Sequence, residues 1–376
     1  MTVSHRFAPE QCPRLIVKIG SALLVDPDGA IRREWLTSVS ADIAAAHLAG
    51  QQVVVVSSGA IALGARRLGL PKGGRASLED AQAAAAVGQI ALSQMWAELL
   101  AGCGLTAAQM LLTLDDLEDR RRYLNAASTL DRLLTLRTVP ILNENDSVAT
   151  AEIRFGDNDR LAARVAQAAR AQGVLLLSDV DGLYTANPHR DPTARRLGEV
   201  VRIDARIRAM ADGGSASGMG SGGMVSKIEA ARIAQAAGAH LAIANGQVDH
   251  PIARFVDTGE GTVFVADPVR GGRKMWLAGR MTVRGAIEVD AGAAAALDKG
   301  ASLLAAGAVM VSGRFDRGDV VEIRGPAGPI ARGLAEYGAD EALRIAGRRS
   351  ADHAGILGYA PRAALVHRDQ MVLLCR

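Results

Sequence analysis

The sequence predicts an α/β protein whose mostly parallel open sheet carries helices on both faces, followed by a small β-rich domain. Short, continuous apolar runs alternate with Ala-rich helical stretches over the first two thirds of the chain, which is typical of strands that are buried on both faces. The alternation stops near Asp267-Pro268, and shorter strand-like segments with Gly-rich turns follow. A length of 376 residues allows two domains.

The first two predicted strands end directly before small, polar residues. Residues 15–19 form an apolar run that stops at Gly20, and residues 53–56 form a β-branched run that stops before Ser58 and Gly59. Helical sequence follows each of them. Further strands are predicted at residues 108–114, 138–142, 174–177 and 240–244. Because ligands of such sheets bind beyond the carboxyl ends of the strands, we expect the chemistry in the loops that follow these runs.

The predicted organisation is a first domain over residues 1–268, a linker over 269–280 and a second domain over 281–376. The proposed linker is rich in glycine and basic residues. Beyond it, short segments at 287–289, 309–311, 320–323 and 372–374 predict strands, with one helix around 340–345. This C-terminal part carries more basic than acidic residues, although the net charge of the whole chain is only +3.

The composition argues against several classes of protein. Cys12, Cys103 and Cys375 are scattered without metal-ligand spacing, so neither a zinc site nor a disulfide scaffold is expected. No apolar run reaches the roughly 18 residues that span a bilayer. The N-terminus has no apolar segment followed by a cleavage site, so we expect no secretion signal and a cytoplasmic protein.

A Gly- and Ser-rich segment from Gly213 to Lys227 is the strongest indication of a ligand site. It opens an amphipathic helical stretch, and bare amides at a helix start attract anions such as phosphate. A flexible surface loop is the alternative for such a run. Its G-x-G-x-x-G match lacks a preceding strand, and Met224 stands where a Walker P-loop has lysine. A nucleotide site of another type is therefore expected.

Lys18 lies in the otherwise apolar first strand, near its end. A buried ammonium group needs an anion as a partner, unless the aliphatic part of the lysine side chain is long enough to carry the charge to solvent. Taken by itself, Lys18 is compatible with either arrangement. Together with Lys227, it is a candidate for the second cation of a phosphoryl clamp.

Ser58, Asp146 and Asn158 have the hydroxyl, carboxylate and amide groups that an amino-acid substrate needs, although residues of the last two types are also common in turns.

The sequence resembles the glutamate 5-kinases of the amino-acid kinase family, which make γ-glutamyl phosphate in the first step of proline biosynthesis. The resemblance spans nearly the whole chain, and its tail from about Met281 resembles a PUA domain. It rests on VKIGS at 17–21, VSSGAI at 56–61, QMLLT at 109–113, NEND at 143–146, GDND at 156–159, GLYT at 182–185 and GGMVSK at 222–227.

The resemblance implies a role for each matching residue. Lys18 and Lys227 match lysines that contact the transferred phosphoryl group, and Asp159 matches an aspartate that positions them. The positions that match glutamate-binding residues are Ser58, Asp146 and Asn158, with the Gly59 amide beside them. The positions that match or adjoin the nucleotide are Lys18, Gly20, Ser178, Asp179, Ser221, Gly222, Gly223, Met224, Val225, Ser226 and Lys227. Serine replaces a frequent threonine at 21, 178 and 221, and keeps the hydroxyl.

The expected reaction needs no general base, because a glutamate side chain with a pKa of about 4.3 is already ionised at neutral pH. The expected substrates are L-glutamate and ATP, with Mg²⁺ bridging the phosphates and no dedicated protein metal site. The family further implies feedback inhibition by proline and a homo-oligomer. The alternatives are another kinase of the same family, acting on acetylglutamate, aspartate or a nucleoside monophosphate, or an RNA-binding role for the C-terminal domain, which its modest charge makes unexpected.

Overall fold

The computed structural model describes residues 3–26, 31–148, 158–188, 190–211, 223–266, 283–362 and 364–374. The chain divides into two compact units, Met1–Val269 and Arg270–Arg376. The predicted linker, 269–280, lies entirely outside the described residues, so the domain boundaries stay a prediction. Each unit has its own hydrophobic core.

The first unit is built on an eight-stranded sheet with the order β3-β4-β2-β1-β5-β7-β8-β6. Neighbouring strands run parallel except β7 and β8. The strands are β1 Arg14–Ile19, β2 Gln52–Ser57, β3 Ala107–Leu112, β4 Val139–Glu144, β5 Gly173–Ser178, β6 Glu199–Val200, β7 His240–Asn245 and β8 Thr262–Phe264. All residues of β4 and β5 are buried, as expected for strands covered on both faces.

Helices cover both faces of this sheet. Helices α6, α7 and α9 pack against one face of the sheet. The helices that pack against the other face include α2, α4 and α10. The α-helices of the first unit are α1 Ser21–Leu24, α2 Arg33–Leu48, α3 Ala60–Leu68, α4 Leu78–Gly102, α5 Leu114–Glu118, α6 Arg120–Thr135, α7 Asn158–Ala169, α8 Ala205–Ala211, α9 Met224–Ala237 and α10 Pro251–Thr258. Short 3-10 turns lie at Val3–Phe7 and Pro71–Gly74.

The second unit is a mixed sheet with the order β10-β9-β11-β12-β13, in which only β9 and β11 pair in parallel. Its strands are β9 Val283–Val289, β10 Ala308–Gly313, β11 Val320–Gly325, β12 Gly328–Leu334 and β13 Met371–Leu373. Its helices are α11 Ala291–Asp298, α12 Ala339–Ile345 and α13 His353–Leu357, with 3-10 turns at Ala305–Gly307, Ser350–Asp352 and Arg368–Gln370.

The structure confirms the predicted fold class, but several elements differ from the prediction. Strands β6 and β8 and helices α11 and α13 were not predicted. The third strand was predicted over 108–114, but β3 ends at Leu112 because Thr113 caps α5: its hydroxyl accepts from the amide of Asp116. Strand β12 was not predicted, since Gly328, Pro329 and Gly333 interrupt its apolar pattern.

Candidate active site

Polar residues gather where five neighbouring parallel strands end. In the order β4-β2-β1-β5-β7, each strand ends at the same edge of the sheet, and the amide of Ser58 donates to the carbonyl of Ile19, which ties the loops after β2 and β1 together. Helices α7 and α9 begin above this edge with Asn158 and Met224. Such an edge is the expected ligand position in a parallel α/β sheet.

Asp159 bridges the two lysines that the sequence singles out. Its Oδ1 lies 2.6 Å from the Lys18 ammonium, and its Oδ2 accepts a 3.0 Å hydrogen bond from the Lys227 ammonium. All three side chains are almost completely buried. Lys18 comes from β1, Asp159 from the first turn of α7 and Lys227 from the first turn of α9. The structure thus brings the three predicted catalytic residues together.

The electrostatics of this cluster favour a bound anion. Burial alone would raise the pKa of Asp159, but the charges and hydrogen bonds of Lys18 and Lys227 outweigh it and hold that pKa below its ordinary value. Asp159 is therefore ionised at neutral pH, and the three groups together carry a net charge of +1. A net positive charge in a site removed from water stabilises the charge of a phosphoryl group.

Two glycines line the same edge. Gly20 follows β1, and a Cβ placed on it would lie 3.7 Å from the Lys18 ammonium, so the lysine curls over the end of its own strand. Gly59 precedes α3 with a φ of 103°, a left-handed conformation that favours glycine. A Cβ at Gly59 would also press on Leu24.

The predicted nucleotide positions lie on the side of β5 and α9. Ser178 ends β5, is buried and donates to the carboxylate of the exposed Asp179 at 3.0 Å. Gly223 caps α9 without a side chain that could bond the first amides of the helix. Met224, Val225 and Ser226 form the first turn, while Ser221 and Gly222 lie outside the described residues.

The predicted substrate positions lie on the side of β2 and β4. The side-chain amide of Asn158 donates to the hydroxyl of Ser58 at 2.7 Å and to Oδ1 of Asn143 at 3.1 Å. These bonds leave Oδ1 of Asn158 buried with no partner among the residues that the structure describes. A buried acceptor in this condition is available to a ligand that donates a hydrogen bond.

Asp146 follows β4 and presents a second such acceptor. Its Oδ1 is also buried without a partner in the described part of the chain. Burial raises the pKa of Asp146 to about 6, although the charge of Arg75 opposes this shift. A nearby ligand cation would restore the ionised form.

Sequence reasoning missed three side chains that shape this region. Asn143 stood inside a quoted motif but received no role, although its position at the end of β4 was a usable signal. Arg75 acts on Asp146 from a loop without any motif. Gln89, in the middle of α4, accepts a hydrogen bond from Asn143 and donates one to Ser93. Nothing in the Ala-rich sequence of that helix distinguishes Gln89 as part of a site.

The described residues show neither a metal-binding cluster nor a membrane-spanning helix. No group of three or more His, Cys, Asp or Glu side chains stands close enough there to hold a metal ion. Likewise, none of the helices that the structure describes has the length and apolarity needed to cross a membrane.

Comparison with known proteins identifies two families within the chain. The model of the amino acid kinase family matches residues 13–245, and that of the PUA domain matches residues 285–357. A solved carbamate kinase from Giardia lamblia, bound to AMP-PNP, shares the fold with a TM-score of 0.50 at 16% identity, covering 68% of this chain and 98% of that one.

Curated relatives resemble the chain over almost its full length. The glutamate 5-kinase of Sphingopyxis alaskensis is 68% identical, with 98% of this chain and 99% of that protein covered. Those of Zymomonas mobilis and Novosphingobium aromaticivorans are 62% and 63% identical, covering 98% and 96% of this chain and 93% and 96% of theirs. These matches confirm the predicted resemblance.

Proposed function

Because the chain belongs to the amino acid kinase family, we propose that it transfers the terminal phosphoryl group of ATP to the side-chain carboxylate of L-glutamate. The products are L-glutamyl 5-phosphate and ADP, and the reaction is the first step of proline biosynthesis. The full-length likeness to three glutamate 5-kinases supports this kinase over the acetylglutamate and aspartate kinases and over an RNA-binding protein.

The observation that carries the transfer reaction is the buried cluster of Lys18, Asp159 and Lys227. Two ammonium groups held on one carboxylate supply a positive field where an anionic carboxylate must approach an anionic phosphate. Asp159 is already ionised and paired, so its role is to hold the lysines apart and in place rather than to accept a proton. The amides of Gly20 and Gly59 would add hydrogen bonds to the transferred group.

Two buried acceptors support an amino acid with a free ammonium group as the substrate. Asp146 and Asn158 each present an oxygen without a partner among the described residues, and an ammonium group supplies three donors and a positive charge. Acetylglutamate carries a single neutral amide donor in that place. The hydroxyl of Ser58, which accepts from Asn158, would donate its own hydrogen to a substrate carboxylate.

The nucleotide would lie between the end of β5 and the start of α9, against Ser178, Asp179 and the segment 221–227. Mg²⁺ would arrive with the phosphates of ATP, because it retains most of its waters and typically takes few protein ligands. On the proposed nucleotide side, the exposed carboxylate of Asp179 offers oxygen donors of the kind that such an ion takes. There it would neutralise phosphate charge.

For the C-terminal domain we propose a structural or regulatory role. Four of its arginines pair with carboxylates of the same domain, which reduces the charge that remains for RNA phosphates: Arg324 and Arg332 with Glu322, and Arg317 and Arg362 with Glu336. Feedback inhibition by proline, a homo-oligomeric state and a cytoplasmic location follow from the family and are proposed with it.

An ATP-dependent hydroxamate assay tests the function, because hydroxylamine traps the acyl phosphate product. The intact chain should give glutamyl hydroxamate with L-glutamate, and little product with aspartate or acetylglutamate. A chain truncated near Gly272, assayed with and without proline, separates catalysis from regulation. Product from acetylglutamate in excess of that from glutamate would refute the proposed substrate.

A further inference from the structure

We propose that Gln89 is a positioning residue for the amino-acid substrate, and this inference rests on the function proposed above. Gln89 lies on α4, and its side-chain hydrogen bonds within the described part of the chain go to Ser93 and Asn143 rather than to the predicted catalytic residues. A relay of side-chain amides links it to Asn158: Gln89 Oε1 accepts from Nδ2 of Asn143 at 2.8 Å, and Oδ1 of Asn143 accepts from Nδ2 of Asn158 at 3.1 Å.

The direction of this relay is fixed by the backbone. The amide N–H of Glu144 donates to Oδ1 of Asn143 at 2.9 Å, so this atom must be the oxygen of the Asn143 side chain. Nδ2 of Asn143 then faces Gln89 and requires an acceptor there. At the other end, the same Oδ1 requires a donor from Asn158, so the NH₂ group of Asn158 faces inward and its oxygen remains for the ligand.

The side-chain amide of Gln89 has a hydrogen-bond partner at each end, Asn143 at Oε1 and Ser93 at Nε2. Its Nε2 donates to the hydroxyl of Ser93 at 3.2 Å, and that hydroxyl also lies 2.8 Å from the carbonyl of Gln89 and from Oε1 of Gln109 on β3. Because Nε2 has this acceptor, Oε1 is the atom that faces Asn143. The orientation of the glutamine is therefore determined rather than free.

The packing of α4 fixes where Gln89 stands relative to the substrate loop. Gly88 lies directly against the backbone of Ala60, and Gly64 lies against the backbone of Ala84, so that a Cβ on either glycine would overlap a carbonyl oxygen of the other helix. Ala60 begins α3 immediately after Gly59. Helices α3 and α4 thus touch backbone to backbone next to Gln89, which sets its distance from the loop that carries Ser58.

The relay predicts a specific kinetic effect. Without an acceptor at position 89, Nδ2 of Asn143 loses its partner, and the side chain is then held only through its oxygen, by the amide of Glu144 and by Asn158. The oxygen that accepts from Asn158 would then lose its fixed position, and the amide of Asn158 would no longer be held with its own oxygen toward the substrate. Binding of glutamate should weaken while the lysine cluster and the nucleotide side stay unchanged.

The test compares Gln89→Leu with Gln89→Glu, which keeps the acceptor oxygen, and with Gln94→Leu. Gln94 is an exposed glutamine of the same helix whose side-chain amide donates to Glu98, so it serves as the matched control. We expect Gln89→Leu to raise KM for glutamate about five- to thirtyfold, with kcat and KM for ATP within about threefold of the unaltered chain. Gln89→Glu and Gln94→Leu should stay within about threefold throughout.

The outcomes separate this inference from the function on which it rests. An unchanged KM for glutamate in Gln89→Leu, or an equal defect in Gln89→Glu, would overturn the positioning role while the kinase function stands. Ser93→Ala, which removes the anchor of Nε2, should raise KM in the same direction and gives a second measurement if Gln89→Leu folds poorly in thermal unfolding. If the unaltered chain forms no glutamyl hydroxamate, the proposed function and the relay both fail.

Discussion

Lys18 and Lys227 lie far apart in the chain, yet their ammonium groups rest on the two oxygens of one buried carboxylate, at 2.6 Å and 3.0 Å. The carboxylate, Asp159, keeps two like charges side by side in a site nearly closed to water. Their positions at the end of a central strand and in the first turn of α9 aim both toward the same edge of the sheet. This arrangement suits a reaction in which two negatively charged groups, a phosphate and a carboxylate, must be brought together.

Replacing Lys227 by methionine should lower kcat about a hundredfold. Methionine keeps much of the apolar stem but removes the charge that would stabilise the transferred phosphoryl group, and the loss of one such donor typically costs that factor. The measurement is hydroxamate formation at saturating glutamate and ATP. Lys299→Met, at an exposed position in the second unit, is the control and should keep full turnover. Near-normal turnover of Lys227→Met would contradict the assigned role.

Replacing Asp159 by asparagine should affect both folding and activity. The substitution leaves two buried ammonium groups without the carboxylate between them, and breaking a buried ion pair in this way typically costs about 3 to 5 kcal/mol of unfolding free energy. Turnover should fall as the lysines separate. Because an anion can replace the missing charge, ATP should raise the melting temperature of Asp159→Asn more than that of the unaltered chain. Equal stability of the two proteins in urea without nucleotide would contradict this account.

The sequence predicted the members of the cluster of Lys18, Asp159 and Lys227 more completely than the residues that surround it. Lys18 was recognisable as an expensive charge in an apolar strand, and Lys227 as the cation after a glycine-rich segment; the parallel sheet then explains why they meet. Asp159 received its role only from the family resemblance, because nothing in the composition of 155–160 separates its carboxylate from its neighbours.

The sequence alone could not predict the amide relay, and the reason is physical. Gln89 of α4 contacts Asn143 of β4 only in the folded chain, because the two residues are distant in the sequence. The helix is rich in alanine and contains several glutamines, and its sequence does not distinguish Gln89 from the others. Strand β12 was missed because its partners, rather than its own residues, define it: Gly328 and Gly333 weaken the local pattern, while β11 and β13 pair with it on both sides.

Binding of glutamate should weaken in acid with a midpoint set by Asp146. Burial raises the pKa of this carboxyl to about 6, so it is ionised above that pH and takes up a proton below it. The substrate side chain, with a pKa of about 4.3, stays ionised through most of this range. KM for glutamate should therefore rise about tenfold per pH unit below pH 6, while KM for ATP stays nearly constant.

Asp146→Asn provides the control for this pH dependence. Its KM for glutamate should be high at every pH and show no midpoint near 6. The stability of the unliganded chain should move in the opposite sense to binding: since the folded state keeps a proton that the unfolded state releases, the free energy of unfolding should decrease as the pH rises from about 4 to 6, more in the unaltered chain than in Asp146→Asn. A pH profile of KM that is the same in both proteins would contradict the role of Asp146.

Replacing Gly88 by alanine should destabilise the first unit and weaken glutamate binding together. The added methyl group would overlap the carbonyl oxygen of Ala60, so α3 and α4 must move apart, at a typical cost of about 1 to 3 kcal/mol. The displaced helices carry Gln89 on one side and the Ser58-Gly59 loop on the other. Gly102→Ala is the matched control, because it ends the same helix and its Cβ would meet nothing within 4 Å. Chemical denaturation and KM for glutamate measure the two effects; Gly88→Ala behaving like Gly102→Ala in both would show that this helix contact does not set the geometry of the site.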